Sequence, residues 1–227
     1  MNIFEFTFSG VRLNALPDGA LYWPEAELLA VSDLHLGKSE RIARRSGRML
    51  PPYETIDTLS KLDAAIAATD PACVICLGDS FDDLEAGASL PDDQASWLTR
   101  LMAGRRWIWI EGNHDPGPLE FGGSHLIEYN EGPLQFRHIA LTAATGEVSG
   151  HFHPKTRLSL RGRQISRPCF LFDQNRLILP AFGTYTGGLR SDDASLQDLM
   201  ASETTAILTG PSPCAIPMAR GKEPLQT

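Results

Sequence analysis

The stretch Ser32-Asp33-Leu34-His35-Leu36-Gly37 is the most informative part of this 227-residue chain. It directly follows the apolar run Leu28-Leu29-Ala30-Val31, which is typical of a buried strand, and it ends in a glycine turn. Because side chains alternate between the two faces of a strand, we predict that Asp33 and His35 point to one side and bind one ion. A carboxylate and an imidazole together suit a divalent transition metal.

Three further motifs follow, each next to or between apolar runs: Gly78-Asp79-Ser80-Phe81-Asp82, Gly112-Asn113-His114-Asp115 and Gly150-His151-Phe152-His153. A single Asp-x-His triplet is common, but four motifs in this order are specific. The set resembles the signature of the calcineurin-like metallophosphoesterases. The resemblance implies hydrolysis of a phosphate ester at two divalent metal ions, with a hydroxide attacking phosphorus in line.

Composition excludes several classes of protein. The net charge of −8 and the pI near 5.2 argue against a surface coated in positive charge, although a local basic groove stays possible. The first residues lack a basic start and a long apolar run, so we expect a cytoplasmic protein without a leader or membrane anchor.

Cys73 and Cys76 form a C-x-x-C spacing inside a strand-like run, where no turn brings two thiolates to one zinc ion. We expect buried, reduced thiols instead.

The order of predicted elements indicates an α/β fold. A hairpin around Pro17-Asp18-Gly19 is followed by strands near 27–32, 72–77 and 107–110, with helices at about 54–68 and 92–103 between them, which predicts parallel strands. Short strands after residue 125 indicate a second, largely antiparallel sheet. We therefore predict a four-layer α-β-β-α sandwich of two packed mixed sheets, which is also the fold that the resemblance implies. Residues 1–217 would form one domain, and residues 218–227 a mobile tail.

The resemblance also assigns roles to individual residues. It implies that one metal is bound by Asp33, His35 and His153, that Asp79 bridges both metals, and that the other metal is bound by Asn113, His138 and His151. His114 would stabilise the transition state or protonate the leaving oxygen, and Asp82 would orient His114. Nitrogen and oxygen ligands suit Mn²⁺, Fe, Zn²⁺, Ni²⁺ and Co²⁺, of which we favour Mn²⁺. His125 is the alternative to His138 as the lone histidine ligand.

Asp83 departs from a pattern seen in many phosphatases of this family, which carry an arginine at that position to clamp phosphate. An acid there disfavours a dianionic monoester and favours a phosphodiester. Two basic stretches could line a groove to the metals and contact backbone phosphates. The first is the run from Lys38 to Arg48, which contains Arg45. The second contains Lys155, Arg157, Arg161, Arg163 and Arg167. For each of these residues, a solvated helix face or hairpin is the alternative explanation.

Several stretches resemble one bacterial branch of the family, the ligase-associated DNA damage response endonucleases. These stretches are 16–24, 33–38 with Gly47 and Pro51, 150–154 and 179–188. The resemblance implies a metal-dependent DNA phosphodiesterase or nuclease in repair. It also implies partnership with a DNA ligase, a helicase and an exonuclease-like protein of the same operon. A homo-oligomer is possible.

Three other functions remain open at this point. A nucleotide or sugar-nucleotide pyrophosphohydrolase would use the same metals, and a phosphomonoesterase would prefer nitrophenyl phosphate to its diester. Some members of the fold serve as non-catalytic scaffolds, and the alternative for this chain is a scaffold of a ligase and helicase assembly. The catalytic histidine is lost in such scaffolds, whereas His114 is present in this chain.

Overall fold

Two β-sheets face each other across a shared apolar core in the computed structural model, which describes residues 2–117, 120–160 and 163–219. Within these ranges the first sheet has seven strands in sequence order: β1 (Phe4–Phe8), β2 (Val11–Ala15), β3 (Leu21–Trp23), β4 (Leu28–Val31), β5 (Cys73–Leu77), β6 (Arg106–Ile110) and β7 (Ser124–Leu126). The first three strand pairs are antiparallel, and the last three are parallel.

The second sheet is formed by strands that lie between Glu128 and Pro217. Its strands are β8 (Glu128–Glu131), β9 (Leu134–Arg137), β10 (Glu147–Ser149), β11 (Lys155–Leu160), β12 (Arg163–Phe172), β13 (Arg176–Ile178), β14 (Thr205–Leu208) and β15 (Cys214–Pro217). Its order is β15-β14-β12-β13-β10-β9-β8, and β11 pairs with β12. β10 is parallel to both β9 and β13, so this sheet is mixed as well.

Helices cover the outer faces of both sheets. Four helices follow strands of the first sheet: α1 (Lys38–Ser46), α2 (Glu54–Thr69), α3 (Leu84–Ala88) and α4 (Asp92–Met102). Buried leucines of α2 and α4 pack on the outer face of the first sheet, and α5 (Ala194–Leu199) packs on the outer face of the second. The predicted four-layer sandwich of two mixed sheets is confirmed. Among the described residues, no helix combines the length and apolar character needed to cross a bilayer.

Strand periodicity explains the layers. In β4 every residue is buried, with Leu28 and Ala30 in the core between the sheets and Leu29 and Val31 under the helices. Cys73 and Cys76, three apart on β5, lie on opposite faces in the same way. An odd spacing on a strand therefore separates the two thiols. The cysteines are unpaired; Cys73, Cys76 and Cys169 are buried, but Cys214 is exposed, contrary to expectation.

Several predicted boundaries were wrong. The N-terminal region forms two hairpins rather than one, because Val11–Ala15 is a strand although it shows no clear alternation. Strand β7, which ends at Leu126, extends the first sheet by pairing with β6, so the second sheet begins at Glu128 rather than directly after residue 125. Ile56 lies on α2 at a three-residue spacing from the buried Leu59, yet it is exposed. Met218, predicted in the tail, is buried, and residues 220–227 lie outside the described residues.

Candidate metal centre

The predicted metal ligands lie in loops that follow strands of both sheets. Asp33 and His35 follow β4, Asp79 follows β5, and Asn113 follows β6; His138 follows β9, while His151 and His153 follow β10. The strand-alternation argument for Asp33 and His35 was wrong, because β4 ends at Val31 and both residues have a left-handed backbone, with φ of 54° and 47°. Positive φ also occurs at Asp79, His151 and His153. Non-glycine residues rarely adopt this conformation, and they cluster at functional sites when they do.

Hydrogen bonds between loop backbones hold these turns together. The N–H groups of Asp33 and His35 donate to the carbonyls of Gly78 (3.2 Å) and Asp79 (2.9 Å). Two glycines allow the loops to approach so closely. A Cβ at Gly112 would overlap the backbone of Asp79, and one at Gly150 would overlap the Ser32 hydroxyl. The glycines of the motifs therefore have a steric role in assembling the site.

One cluster contains Asp33, His35 and His153. One ligand atom from each of these residues lies within 4.8 Å of the others. Asp33 Oδ1 lies 3.1 Å from His153 Nε2, and Asp33 Oδ2 accepts the N–H of His151 at 3.0 Å. Burial alone would raise the pKa of Asp33, but the nearby His153 and His138 outweigh this effect and lower it. Burial lowers the pKa of His35, which favours the neutral imidazole that binds metal.

The second cluster contains Asp79, His138 and His151, again with ligand atoms within 4.8 Å. His138 Nε2 lies 3.4 Å from Asp79 Oδ2 and 2.9 Å from Asn113 Oδ1. His138 Nδ1 is 2.8 Å from the Leu77 carbonyl, so Nε2 is the nitrogen left for a metal. Burial opposes ionisation of Asp79, but His138 outweighs it and lowers its pKa to about 2.

His125, the alternative to His138, lies elsewhere. It sits on β7 with its ring stacked on Trp109, 6.2 Å between centroids, and it belongs to neither cluster. The structure thus brings His138, rather than His125, to the other predicted ligands.

The two clusters are neighbours. His138 Nδ1 of the second lies 4.0 Å from Asp33 Oδ1 of the first. Three buried atoms of the first cluster make no hydrogen bond of good geometry to any described residue, although the first and last of them lie 3.1 Å apart: Asp33 Oδ1, His35 Nε2 and His153 Nε2. Buried polar atoms without partners are costly, and a divalent cation would satisfy all three. The donor set therefore fits metal ions.

Comparison with known proteins agrees with this geometry. The family model described as calcineurin-like phosphoesterase matches residues 26–183. The chain belongs to the calcineurin-like phosphoesterase family. It is also similar to the crystal structure of Pseudomonas putida nuclease MPE, with a TM-score of 0.76 and 30% sequence identity over 94% of this chain and 100% of that chain. No curated protein sequence matches it. The predicted family is confirmed, the nuclease structure is consistent with the ligase-associated branch, and this protein is a metal-dependent phosphoesterase.

In this phosphoesterase, His114 belongs to a third group of possible metal ligands with Asp82 and His35, and His35 is shared with the first cluster. The backbone N–H of His114 donates to Asp79 Oδ1 at 2.9 Å, and its Nδ1 lies 2.8 Å from the carbonyl oxygen of Asp82. The backbone of Asp82, rather than the carboxylate invoked from the sequence, therefore makes the hydrogen bond to His114. The His114 ring is edge-on to His35, 5.2 Å between centroids.

The Asp82 carboxylate has a different set of partners. Oδ1 lies 2.8 Å from His35 Nδ1 and 3.3 Å from Lys38 Nζ, and Oδ2 pairs with Arg41. A carboxylate on the far nitrogen of a ligating histidine fixes the ring and leaves Nε2 for the metal. Asp82 thus orients His35, and two cations of α1 hold Asp82 in place.

Asp115 is a site residue to which sequence analysis gave no role. Its Oδ2 accepts the N–H groups of Ser80 (2.7 Å) and Phe81 (3.1 Å), and its Oδ1 accepts that of Gly112 (3.2 Å). These bonds tie the loop after β5 to the loop after β6. Burial, with the nearby charge of Asp79, raises the pKa of Asp115 to about 6. The only signal was its position at the end of the Gly-Asn-His-Asp motif.

The argument from the charge of Asp83 was incomplete. Its carboxylate caps α3 by accepting the N–H of Ala86 at 2.7 Å, and it pairs with Arg44 at 2.9 Å and Arg45 at 3.5 Å. Burial opposes ionisation, but these contacts lower the pKa of Asp83. Because two arginines neutralise it, Asp83 repels a phosphate less than its sequence position suggested.

The four predicted phosphate-contacting residues lie in two places. Lys38 and Arg45 are on α1, and each faces an acid, Asp82 or Asp83. Lys155 and Arg157 are on β11, directly after His153, where Lys155 Nζ donates to the Thr186 carbonyl at 3.1 Å. Arg157 is exposed. Arg161 lies outside the described residues. Of these four side chains, Arg157 is the one without a hydrogen bond or ion pair to any described residue.

Proposed function

We propose that this phosphoesterase hydrolyses DNA phosphodiester bonds with two divalent metal ions. The observation that supports this most directly is the pair of adjacent clusters, Asp33/His35/His153 and Asp79/His138/His151, each with ligand atoms within 4.8 Å. The similarity to Pseudomonas putida nuclease MPE, which extends over the whole of that chain, supports the substrate class.

One ion would be held by Asp33, His35 and His153, the other by Asn113, His138 and His151, and Asp79 would contact both. When bound, the two ions would activate the attacking water and offset the charge that develops on the phosphate. Imidazole nitrogens with carboxylate and amide oxygens suit Mn²⁺, Fe, Zn²⁺, Ni²⁺ and Co²⁺, and of these we propose Mn²⁺.

His114 would act on the leaving group. Its Nδ1 is occupied by the Asp82 carbonyl, so Nε2 is free to face the substrate and to pass a proton to the leaving oxygen. His114 is held at two points, the ring through Nδ1 and the backbone through its amide N–H, which donates to Asp79 Oδ1. His114 would therefore contribute to turnover without being needed to hold metal.

A diester is the favoured substrate for two reasons. The position at which many phosphatases carry a phosphate clamp holds Asp83, and its partners Arg44 and Arg45 are engaged with it. A dianionic monoester would thus find no free arginine at this position, whereas a monoanionic diester requires less positive charge. Lys155 and Arg157, beside His153, would contact the DNA backbone without reading sequence.

We further propose that the protein serves in bacterial DNA repair as a cytoplasmic endonuclease, with a DNA ligase, a helicase and an exonuclease-like protein as partners. Support comes from the resemblance of residues 16–24 and 179–188 to the ligase-associated branch. Both sheets supply metal ligands, which supports residues 1–217 acting as one domain.

The test compares hydrolysis of bis(nitrophenyl) phosphate with that of nitrophenyl phosphate, using metal-free protein reconstituted with Mn²⁺. We expect preference for the diester, and loss of turnover in His114→Ala with its metal retained. Conversion of supercoiled plasmid to nicked circles would then establish endonuclease cleavage. Preference for the monoester, or rapid cleavage of small diphosphates without cleavage of DNA, would contradict the proposal.

A further inference from the structure

A cleft of about 390 Å³ opens beside the second metal cluster, within the size range of ligand pockets. Three loops form it: residues 111–113 after β6, residues 127–128 between the two sheets, and residues 137–141 after β9. Its inner end is made by Asn113 and His138, which also belong to the metal centre. We call this space the lateral cleft.

Apolar side chains dominate the outer part of the lateral cleft. Ile127, Ile139 and Leu141 all line it, and they are 75%, 43% and 51% exposed. Isolated exposed aliphatic residues are ordinary, but several that line one cleft next to a reactive centre indicate a bound group. The group that enters must present an apolar face.

The charges of the lateral cleft disfavour a phosphate. Arg137 lines it, but the guanidinium lies 2.9 Å from Glu128 and 3.3 Å from Glu147. Glu111 also lines it and forms no ion pair with any described residue. Its neighbour His125 does not offset this charge, because burial lowers the pKa of His125. The cleft thus favours a flat, uncharged group with N–H donors over an anion.

We propose that the lateral cleft binds the nucleobase next to the scissile phosphate. This inference rests on the proposed function, because it assumes that the phosphate is bound at the metal centre beside Asn113 and His138. The base attached to the neighbouring sugar then packs against Ile127, Ile139 and Leu141, and Glu111 accepts hydrogen bonds from its amino or ring N–H groups. A base can enter only after leaving the duplex stack, so unpaired DNA is the preferred substrate.

The test uses two fluorescent single-stranded oligonucleotides, identical except that one carries a tetrahydrofuran abasic residue at a single position. Cleavage at the phosphates flanking that position is measured with Mn²⁺-loaded protein. We expect wild type to cut about tenfold more slowly at the abasic residue, since tenfold corresponds to about 1.4 kcal/mol and burial of one base face against aliphatic side chains contributes an effect of this order. The double variant Ile139→Ala/Leu141→Ala should cut both oligonucleotides at the slower rate at which wild type cuts the abasic one.

Ile3→Ala is the matched control. Ile3 is 44% exposed, nearly the same as Ile139, but it precedes β1 at the opposite edge of the first sheet from β7. This control should retain the tenfold discrimination. Metal content and melting temperature, measured for every variant, identify any loss of fold or metal.

The possible outcomes are distinct. The lateral cleft is overturned as a base site if wild type cuts the normal and the abasic oligonucleotide at the same rate. It is also overturned if the double variant prefers the normal oligonucleotide as strongly as wild type does. Either result leaves the proposed function intact. No cleavage of DNA or of bis(nitrophenyl) phosphate by the Mn²⁺-loaded wild type overturns both.

Discussion

Asp82 and Asp83 are adjacent, yet their substitution by asparagine should have very different effects on stability. Asp82 is fully buried, and its partners Lys38 and Arg41 are only 18% and 20% exposed at their side chains. Asp83 pairs instead with Arg44 and Arg45, and the latter is 66% exposed. Both substitutions preserve shape and change the net charge by one. The pair therefore isolates the effect of burial.

The magnitude follows from what each substitution leaves behind. Asp82→Asn leaves two largely buried cations without a counter-charge, which costs about 3–5 kcal/mol when burial is complete. We expect about 3 kcal/mol, because Lys38 and Arg41 keep some contact with water. For a domain of this size, that corresponds to a melting temperature lower by about 6–12 °C. Asp83→Asn should cost less than about 1 kcal/mol, since Asp83 and Arg44 are partly exposed, at 16% and 28%, Arg45 is mostly exposed, and asparagine also caps helices.

The assay is thermal unfolding followed by circular dichroism, with chelator present so that metal binding does not contribute.

The pH dependence of stability supplies a second test. Burial would raise the pKa of Asp82, but His35, Arg41 and Lys38 outweigh it and hold it below its ordinary value of 3.8. Because the pKa of Asp82 is lower in the folded than in the unfolded protein, its ionised carboxylate stabilises the fold at pH values above the unfolded pKa. This stabilisation is lost as the pH falls through the folded pKa. The difference between wild type and Asp82→Asn should thus be largest at neutral pH and shrink below pH 4. Equal melting temperatures for the two variants at pH 7 would refute the reasoning.

Three other predictions follow from the site. Asp79→Ala should lose bound metal, whereas His114→Ala should keep it and lose about 10²–10⁴-fold in turnover, as measured by metal analysis and diester hydrolysis; equal metal loss would contradict these separate roles. Gly150→Ala should lower the melting temperature and metal content because its Cβ would overlap Ser32, while Gly117→Ala, with nothing within 4 Å, should be neutral. Chelation should abolish hydrolysis and lower the melting temperature, and Mn²⁺ at 100 times its dissociation constant should restore about 2.7 kcal/mol for each site that it fills, seen by calorimetry. An unchanged melting temperature after chelation would count against a resident metal.

Sequence reasoning was most successful where a polar residue directly follows a buried strand. The motifs at Asp33, Asp79 and Asn113 follow β4, β5 and β6, and the carboxyl ends of parallel strands meet at one edge of a sheet. The order of strands therefore brings these side chains together whatever the detailed course of each loop. His138 and His151 come from the second sheet, and family resemblance rather than periodicity placed them.

The contacts of individual side chains could not be predicted in this way. Asp82 and Arg41 are 41 residues apart in the chain, and their pairing depends on how α1 packs beside the loop after β5. The charge of Asp83 suggested repulsion of phosphate, because the sequence does not show that Arg44 lies against it. A charged residue's partners are set by tertiary packing, so its effective charge is a property of the fold.

The left-handed backbone of the ligands links the fold to the chemistry. Five predicted ligands, Asp33, His35, Asp79, His151 and His153, have positive φ, and each such residue costs about 1–2 kcal/mol. The sum is comparable to the net stability of a whole domain. A left-handed backbone conformation persists only where surrounding contacts outweigh its cost. Here backbone hydrogen bonds and the Asp115 carboxylate join the loops. These contacts do not involve metal. The geometry of the centre is therefore set by the folded chain, which reduces the reorganisation needed when metal and substrate bind.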